Sequence, residues 1–408
     1  MFRVLIVAIV LVTSLSSWAV ELACGHIVPV QLKFLSRHVN YTKLDVNLEK
    51  RTIDQFIKSL DPSKIYFTQN DVKNIKKKMS GIYSKTKVSK CGPIHESYKI
   101  LVERVKAAGD LAKSYLGKDF KLNKKTKLVL NADKRGYEKT EKSLKEFQKK
   151  YLQLQVANYL ANGTAEDEAK SKVSKNYERA LKRVRDEDLS GRLAIYLDSF
   201  ARSLDPHSTY WAQDAYDDFR ITIGLSLEGI GATLSSKDGF TVIEQLLPGG
   251  AAFKSGALKP KDMITAVGEG EDAPFEDVID QDLRDVVKKI RGPKGSKVRL
   301  SIIRKQGGET KKFQVTLIRD KIDLEDEAAQ IYYVERKAKD KKGQVKNVKV
   351  GLIDLPSFYS DSRPGGRSAA TDMRKLLRDA RKNNADSIVL DLSTNGGGSL
   401  DDAVQIAG

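Results

Sequence analysis

Three consecutive glycines, Gly396, Gly397 and Gly398, stand out in the stretch Ile388 to Leu400, IVLDLSTNGGGSL. Ile388, Val389 and Leu390 read as a buried strand. Asp391 and Asn395 lead into the turn, Ser399 is a candidate N-cap, and Leu400 to Ile406 has helical spacing. Strand, glycine turn and helix start together leave backbone N–H groups able to face an anionic ligand or a developing oxyanion. Glycine permits positive φ and the close approach of a second backbone. A phosphate loop would want Gly-Lys-Ser/Thr next, and Ser399-Leu400-Asp401 does not supply it.

The elements that must hold this turn lie just upstream. Val348 to Leu355 reads as a strand, with Pro356-Ser357-Phe358-Tyr359 behind it. Arg363 to Arg367 is loop, and Ala369 to Lys382 has helical spacing. Strand, helix, strand, glycine turn and helix start form an α/β pattern with a parallel strand pair. Residues 321–343 are polar and charged, with Lys-rich 336–342 as a hairpin tip.

Residues 216–320 have a different texture, with frequent glycines and alternating β-branched residues. Leu225 to Leu234 is strand, turn, strand. Thr241-Val242-Ile243 is a strand, Pro248 to Ala252 opens a short helix, and Lys261 to Gly268 is strand and turn. Leu283, Val286, Val287 and Ile290 share one helix face. Gly292-Pro293-Lys294-Gly295 stops that helix, and Val298–Ile303 and Phe313–Ile318 alternate as strands. GIGATL, LLPGGAAFKSGALKPKDMITAVG and KKIRGPKGSKVRLSI, in that order, resemble a PDZ domain, a partly open β-barrel or sandwich with two helices. The resemblance implies that a peptide's C-terminal carboxylate meets backbone N–H groups in the Gly229 turn, at Ile230, Gly231 and Ala232. The peptide would add as a strand beside 232–236. Its last side chain would enter a pocket lined by Ile230, Leu283 and Val287. Core packing explains the same apolar helix face.

Residues 20–215 read as helical, with apolar residues three and four apart among many Lys and Glu. Thr164, followed by Glu166 and Asp167, suits a helix start. Two phrases resemble each other: SLDPSKIYF from Ser59 and SLDPHSTYW from Ser203. In each a helix ends before Pro and the Asp caps the turn. His207 is read as a turn histidine rather than a catalytic one.

The chain carries 72 Lys and Arg against 54 Asp and Glu, a formal net charge of +18 over 408 residues. Lys-rich solvated helix faces account for that balance, and no aromatic-interleaved basic patch or zinc spacing points to nucleic acid. Residues 1–19, with Arg3, the apolar run Val4–Val12 and the small residues before Ala19, look like a secretory signal peptide; a retained anchor is the alternative. Two cysteines, Cys24 and Cys91, either pair in an oxidising compartment or stay as thiols. Four histidines without ligand spacing argue against a metal site.

Taken together, the export signal, the helical region with LDPHSTYW, the PDZ-like region, VGLIDLPSFY and IVLDLSTNGGGSL resemble the C-terminal processing peptidases, or tail-specific proteases, in their long periplasmic bacterial form. The resemblance implies a multidomain α+β chain. A signal peptide spans 1–19, a helical domain 20–215, a PDZ domain 216–320, and the first part of an α/β serine-protease core 321–408. It implies substrates that are protein or peptide C-termini, a serine activated by a lysine, no cofactor and no nucleic acid. It leaves room for an adaptor lipoprotein and for membrane association. Gly398 becomes the candidate oxyanion-hole residue. Arg291, after the PDZ helix, becomes a candidate regulatory contact to the core. The family's Ser-Ala-Ser-Ala-like and Phe-Gly-Lys-Gly-like segments lie beyond the glycine triplet and are absent from these residues, so a partial or truncated chain is expected. Ser399 reads as a cap and Ser357 as structural. The alternatives are a non-catalytic PDZ adaptor and a basic envelope-binding protein. An in-frame continuation with Ser and Lys motifs past codon 408 would favour the protease.

Overall fold

The computed structural model describes residues 21–123, 125–224, 226–306, 309–323, 328–339, 344–361 and 366–408. The proposed signal peptide at 1–19 lies outside them. The chain divides into two compact units, at Trp211/Ala212.

The first unit is helical: α1 Ile27–Leu35, α2 Val46–Leu60, α3 Gln69–Met79, α4 Ile82–Lys87, α5 Gly92–Tyr115, α6 Glu141–Ala161, α7 Glu166–Asp186 and α8 Leu189–Leu204. Between α5 and α6 the described residues are non-helical apart from a 3-10 turn at Ala132–Lys134. Leu48, Ile53, Phe56, Ile57 and Leu60 put one face of α2 into a core shared with Tyr196, Leu197 and Phe200 of α8. Asp61 and Asp205 end these two helices. The buried Asp61 carboxylate accepts the Ile65, Tyr66 and Phe67 N–H groups. Asp205 accepts those of His207 and Ser208. The Asp-Pro phrases are therefore helix stops, and His207 sits exposed in the second one. Thr164 does not cap α7. Ala165 holds the N-cap place without a side-chain bond, and the acids of the first turn complement the helix dipole instead.

Cys24 and Cys91 form a disulfide with a Cα–Cα distance of 5.9 Å across 67 positions. It ties the start of the unit to the N-cap of α5.

The second unit opens with α9 Gln213–Gly224, so helix continues past the expected boundary at 215. Next come β1 Ser226–Gly229, β2 Ala232–Lys237, β3 Phe240–Leu246, α10 Ala251–Ser255, β4 Met263–Glu269, β5 Glu276–Asp277, α11 Leu283–Ile290, β6 Lys297–Gln306, β7 Glu309–Ile318 and β8 Asp320–Asp323. A six-stranded sheet runs β2-β3-β4-β6-β7, with β5 on β4, and does not close. β2 is its edge. Ile243, Ile264, Val286, Ile290, Leu300 and Ile302 fill the core beneath α11. Arg319, 1% exposed, accounts for the spacing of the RGPKG phrase. It donates to the Lys289 and Ile290 carbonyls at the end of α11 and to both Glu269 oxygens. A side chain at Gly292 would meet its guanidinium, with Cζ 2.8 Å away.

The third part of the order is β9 Gln330–Lys339, β10 Val345–Asp354, α12 Ala369–Lys382, β11 Ser387–Asp391 and α13 Leu400–Ala407. β10 and β9 are antiparallel. β10 and β11 are parallel, with Val350 opposite Ser387 and Asp354 opposite Asp391. Of the predicted hairpin tip, 336–339 is strand and 340–342 lies outside the described residues. The expected burial of β11 fails. Ile388, Val389 and Leu390 are 39%, 50% and 37% exposed. β11 is the edge of a three-stranded sheet, so the described chain covers only part of its apolar run.

Replacing Cys24 and Cys91 by Ser should cost the helical unit about 4 kcal/mol, the closure entropy of a loop this long. Denaturant unfolding followed by helical circular dichroism measures it, and an unchanged midpoint contradicts the tie.

Candidate functional site

Two glycine-centred turns could bind oxygen anions through backbone amides. In the first, Gly231 has φ +72° and links β1 to β2. The Ile230 carbonyl accepts the Ala252 N–H at 2.8 Å, and the Gly231 carbonyl accepts the Leu247 N–H at 2.9 Å. A trans peptide plane points its C=O and N–H in opposite directions. The Gly231 and Ala232 N–H groups therefore face away from α10 and β3, toward the unpaired side of β2. Gly250 closes this arrangement, because a Cβ there would lie 2.9 Å from the Gly231 Cα.

α11 lies beside β2. Val286 and Ile290 are buried in the core, while Leu283 and Val287 are half-buried on the same helix. Helical turns of about 5.4 Å roughly match the two-residue repeat of a strand, about 6.6 Å, so these two can meet alternate side chains of a peptide on β2. Ile230 is 3% exposed and packs in the domain core. It offers its backbone, not a pocket wall. Arg291 borders Gly229, with Cγ 3.8 Å from where a Gly229 Cβ would stand. Its guanidinium pairs with Asp218 of α9, 73 positions upstream.

The second turn is the glycine triplet. Asn395 brackets it: its side chain donates to the Leu355 carbonyl at 2.8 Å and accepts the Gly397 N–H at 2.8 Å. Phe358 clamps it. The Phe358 N–H bonds the Gly397 carbonyl at 2.9 Å, and the Ser399 N–H bonds the Phe358 carbonyl at 2.7 Å. Gly398 is held between these bonds at φ +142°, and a Cβ on it would run into the Phe358 backbone, 3.0 Å from Cα. Because the Gly397 carbonyl points at Phe358, the Gly398 N–H points away from it. Among the described residues that N–H has no hydrogen-bond acceptor. Ser399 is the N-cap of α13, its hydroxyl accepting the Asp402 N–H at 3.2 Å.

Two buried carboxylates, neither visible as functional in the sequence, support the turn. Burial acts to raise the pKa of Asp372, but hydrogen bonds from Arg367, Lys375 and Tyr359 outweigh it and hold the carboxyl below its usual range. Burial acts the same way on Asp402, where the Ala370 N–H and the hydroxyls of Ser399, Ser368 and Ser360 prevail. The Tyr359 hydroxyl, pushed well up by burial, stays a neutral donor to Asp372 at 2.8 Å.

Three family descriptions match in order: the tail specific protease N-terminal domain over residues 30–214, the PDZ domain over 220–303, and peptidase family S41 over 349–408. The tail-specific protease of Haemophilus influenzae is 32% identical over 372 residues, which is 91% of this chain and 51% of that protein. The carboxy-terminal processing protease CtpA of Bacillus subtilis is 30% identical over 203 residues, 50% of this chain and 37% of that one. The chain belongs to the C-terminal processing peptidase family. It spans about half the length of the Haemophilus relative. Among solved structures, the peptide-bound PDZ domain of a carboxy-terminal protease from Vibrio cholerae is 45% identical, covering 24% of this chain and 97% of that one with a TM-score of 0.23. The Gly231 turn, β2 and α11 fall in the PDZ match, and the glycine triplet in the S41 match.

Gly398→Ala should destabilise the second unit by about 2 kcal/mol, from forced φ and the Phe358 clash. Gly396→Ala, with open space around its Cβ, should cost less than about 1 kcal/mol. Chemical denaturation of both variants checks this, and equal losses would contradict the clamp.

Proposed function

We propose that this chain carries the substrate-reading and oxyanion-loop parts of an exported tail-specific serine endopeptidase. The observation that carries the reading is the combination, in one family member, of an open β2 edge with outward amides and a glycine loop whose Gly398 amide faces away from its clamp. A substrate C-terminus pairs along β2, its carboxylate on the N–H groups of Ile230, Gly231 and Ala232, its last apolar side chain against Leu283 and Val287. The Gly398 N–H supplies one donor to the tetrahedral oxyanion. The nucleophile is a serine whose proton passes to a desolvated lysine. Neither is matched in these residues, and Ser399 is engaged as a cap. By itself this chain binds C-termini and cuts nothing.

The residue pattern of 1–19 and the Cys24–Cys91 disulfide support export to the periplasm, because disulfides persist in oxidising compartments. An adaptor lipoprotein or the membrane surface would deliver substrates there. Arg291 acts as a relay. Peptide binding beside the Gly229 turn shifts the Arg291–Asp218 pair without bonding Arg291 itself, and thereby favours an aligned protease. The engagement of Ser399 favours a second reading, a PDZ adaptor without catalysis of its own.

Calorimetry with a peptide ending in small apolar residues tests the groove. Val287→Lys should weaken binding at least about tenfold, whereas Arg291→Ala should change it less than about threefold, because a relay is not a binding contact. Unchanged affinity for Val287→Lys sinks the groove, and an equal loss for Arg291→Ala sinks the relay. Incubation should release no product. Turnover that survives Ser399→Ala and Ser357→Ala would overturn the account of the missing dyad.

A further inference from the structure

Asp402 lies in the first turn of α13 and is 4% exposed. An acidic residue at a helix start usually serves the helix dipole from the surface. Asp401, its exposed neighbour in the same turn, can do that. Asp402 instead turns inward. Its Oδ1 accepts the Ala370 N–H, in the first turn of α12, at 3.0 Å. The Ser399 hydroxyl accepts the Asp402 N–H at 3.2 Å, and the Ser360, Ser368 and Ser399 hydroxyls near the carboxylate act to lower its pKa. Ser368 is itself the N-cap of α12.

Ser360 follows the Phe358 clamp by two positions, and its N–H is bonded to the Ile223 carbonyl at the end of α9 at 2.8 Å. Tyr359, between them, accepts the Ala369 N–H at 2.8 Å. The Asp402 carboxylate thus pins the first turn of α13, whose N-cap Ser399 follows Gly398, to the first turn of α12, whose Ala369 bonds the clamping segment at Tyr359.

We propose that Asp402 is the positioning residue of the glycine loop, its buried carboxylate holding the first turn of α13 to the first turn of α12 and so, through the backbone bonds of Ser399 to Phe358 and of Ala369 to Tyr359, fixing the direction of the Gly398 N–H. The inference rests on Gly398 being the oxyanion donor. It assigns to Asp402 no contact with substrate. An oxyanion donor is effective only when its direction is set before the charge develops, and a glycine loop left to itself is the most mobile backbone available.

Amide hydrogen exchange on the full chain tests it, read at Phe358 and Ser399, whose N–H groups make the two clamp bonds. Asp402→Ala should speed exchange at both by about tenfold or more, relative to amides of β4 and β6, the worth of roughly one hydrogen bond. Asp402→Asn keeps an acceptor for Ala370 and should return both to within about threefold of the parent. Asp401→Ala should leave them unchanged. The proposal is overturned if Asp402→Ala does not move these amides, if it accelerates β4, β6 and α12 equally, or if Asp401→Ala matches it. Exchange reports the geometry whether or not Gly398 meets an oxyanion, and peptide affinity of the same variants reports the recognition reading separately.

Discussion

The direction of a backbone amide is what both candidate sites depend on. A peptide plane is rigid, so fixing its carbonyl fixes its N–H on the opposite side. At the PDZ turn the carbonyls of Ile230 and Gly231 are fixed by Ala252 and Leu247. At the glycine triplet the Gly397 carbonyl is fixed by Phe358. In each case the bond that anchors the turn also aims the neighbouring amide outward. Glycine is required where the anchor comes closest: Gly250 against Gly231, and Gly398 against Phe358.

The rest of the second unit maintains these anchors. Arg319 ends α11 and joins it to β4 through Glu269, which keeps Leu283 and Val287 alongside β2. Asn395, Asp372 and Asp402 do the same for the triplet from three sides. α9 connects the two regions physically. It carries Asp218, the partner of Arg291, and its end bonds Ser360. A shift at the peptide turn has a continuous route of ion-paired and hydrogen-bonded groups, through Arg291, Asp218, α9 and Ser360, to the Phe358 segment.

The sequence made the periodic elements readable. The shared helix face of Leu283, Val286, Val287 and Ile290, the span Ala369–Lys382 and the parallel pairing of the two core strands all follow from spacing. The split of that helix face, with Val286 and Ile290 inward and Leu283 and Val287 at the groove, did not, because all four are apolar. The exposure of Ile388 to Leu390 was misread for a related reason. An apolar run reports what a strand is suited to pack against, not what covers it in a given chain. The supporting contacts were hidden because their partners are distant in sequence: Asp402 with Ala370 and Arg291 with Asp218. A buried aspartate in a first helical turn looks the same in sequence as an exposed one that serves the dipole.

The central claim is that outward backbone amides in the Gly229–Ala232 turn read a terminal carboxylate. The most direct measurement is an amide-resolved NMR titration of the chain with one apolar-ended peptide, carrying either a free carboxylate or a C-terminal amide. The account requires the carboxylate form to shift the Ile230, Gly231 and Ala232 amides together with β2 and the Leu283–Val287 face, and the amidated form to bind at least about tenfold more weakly. Equal binding of the two forms, or shifts that spare this turn, would contradict it.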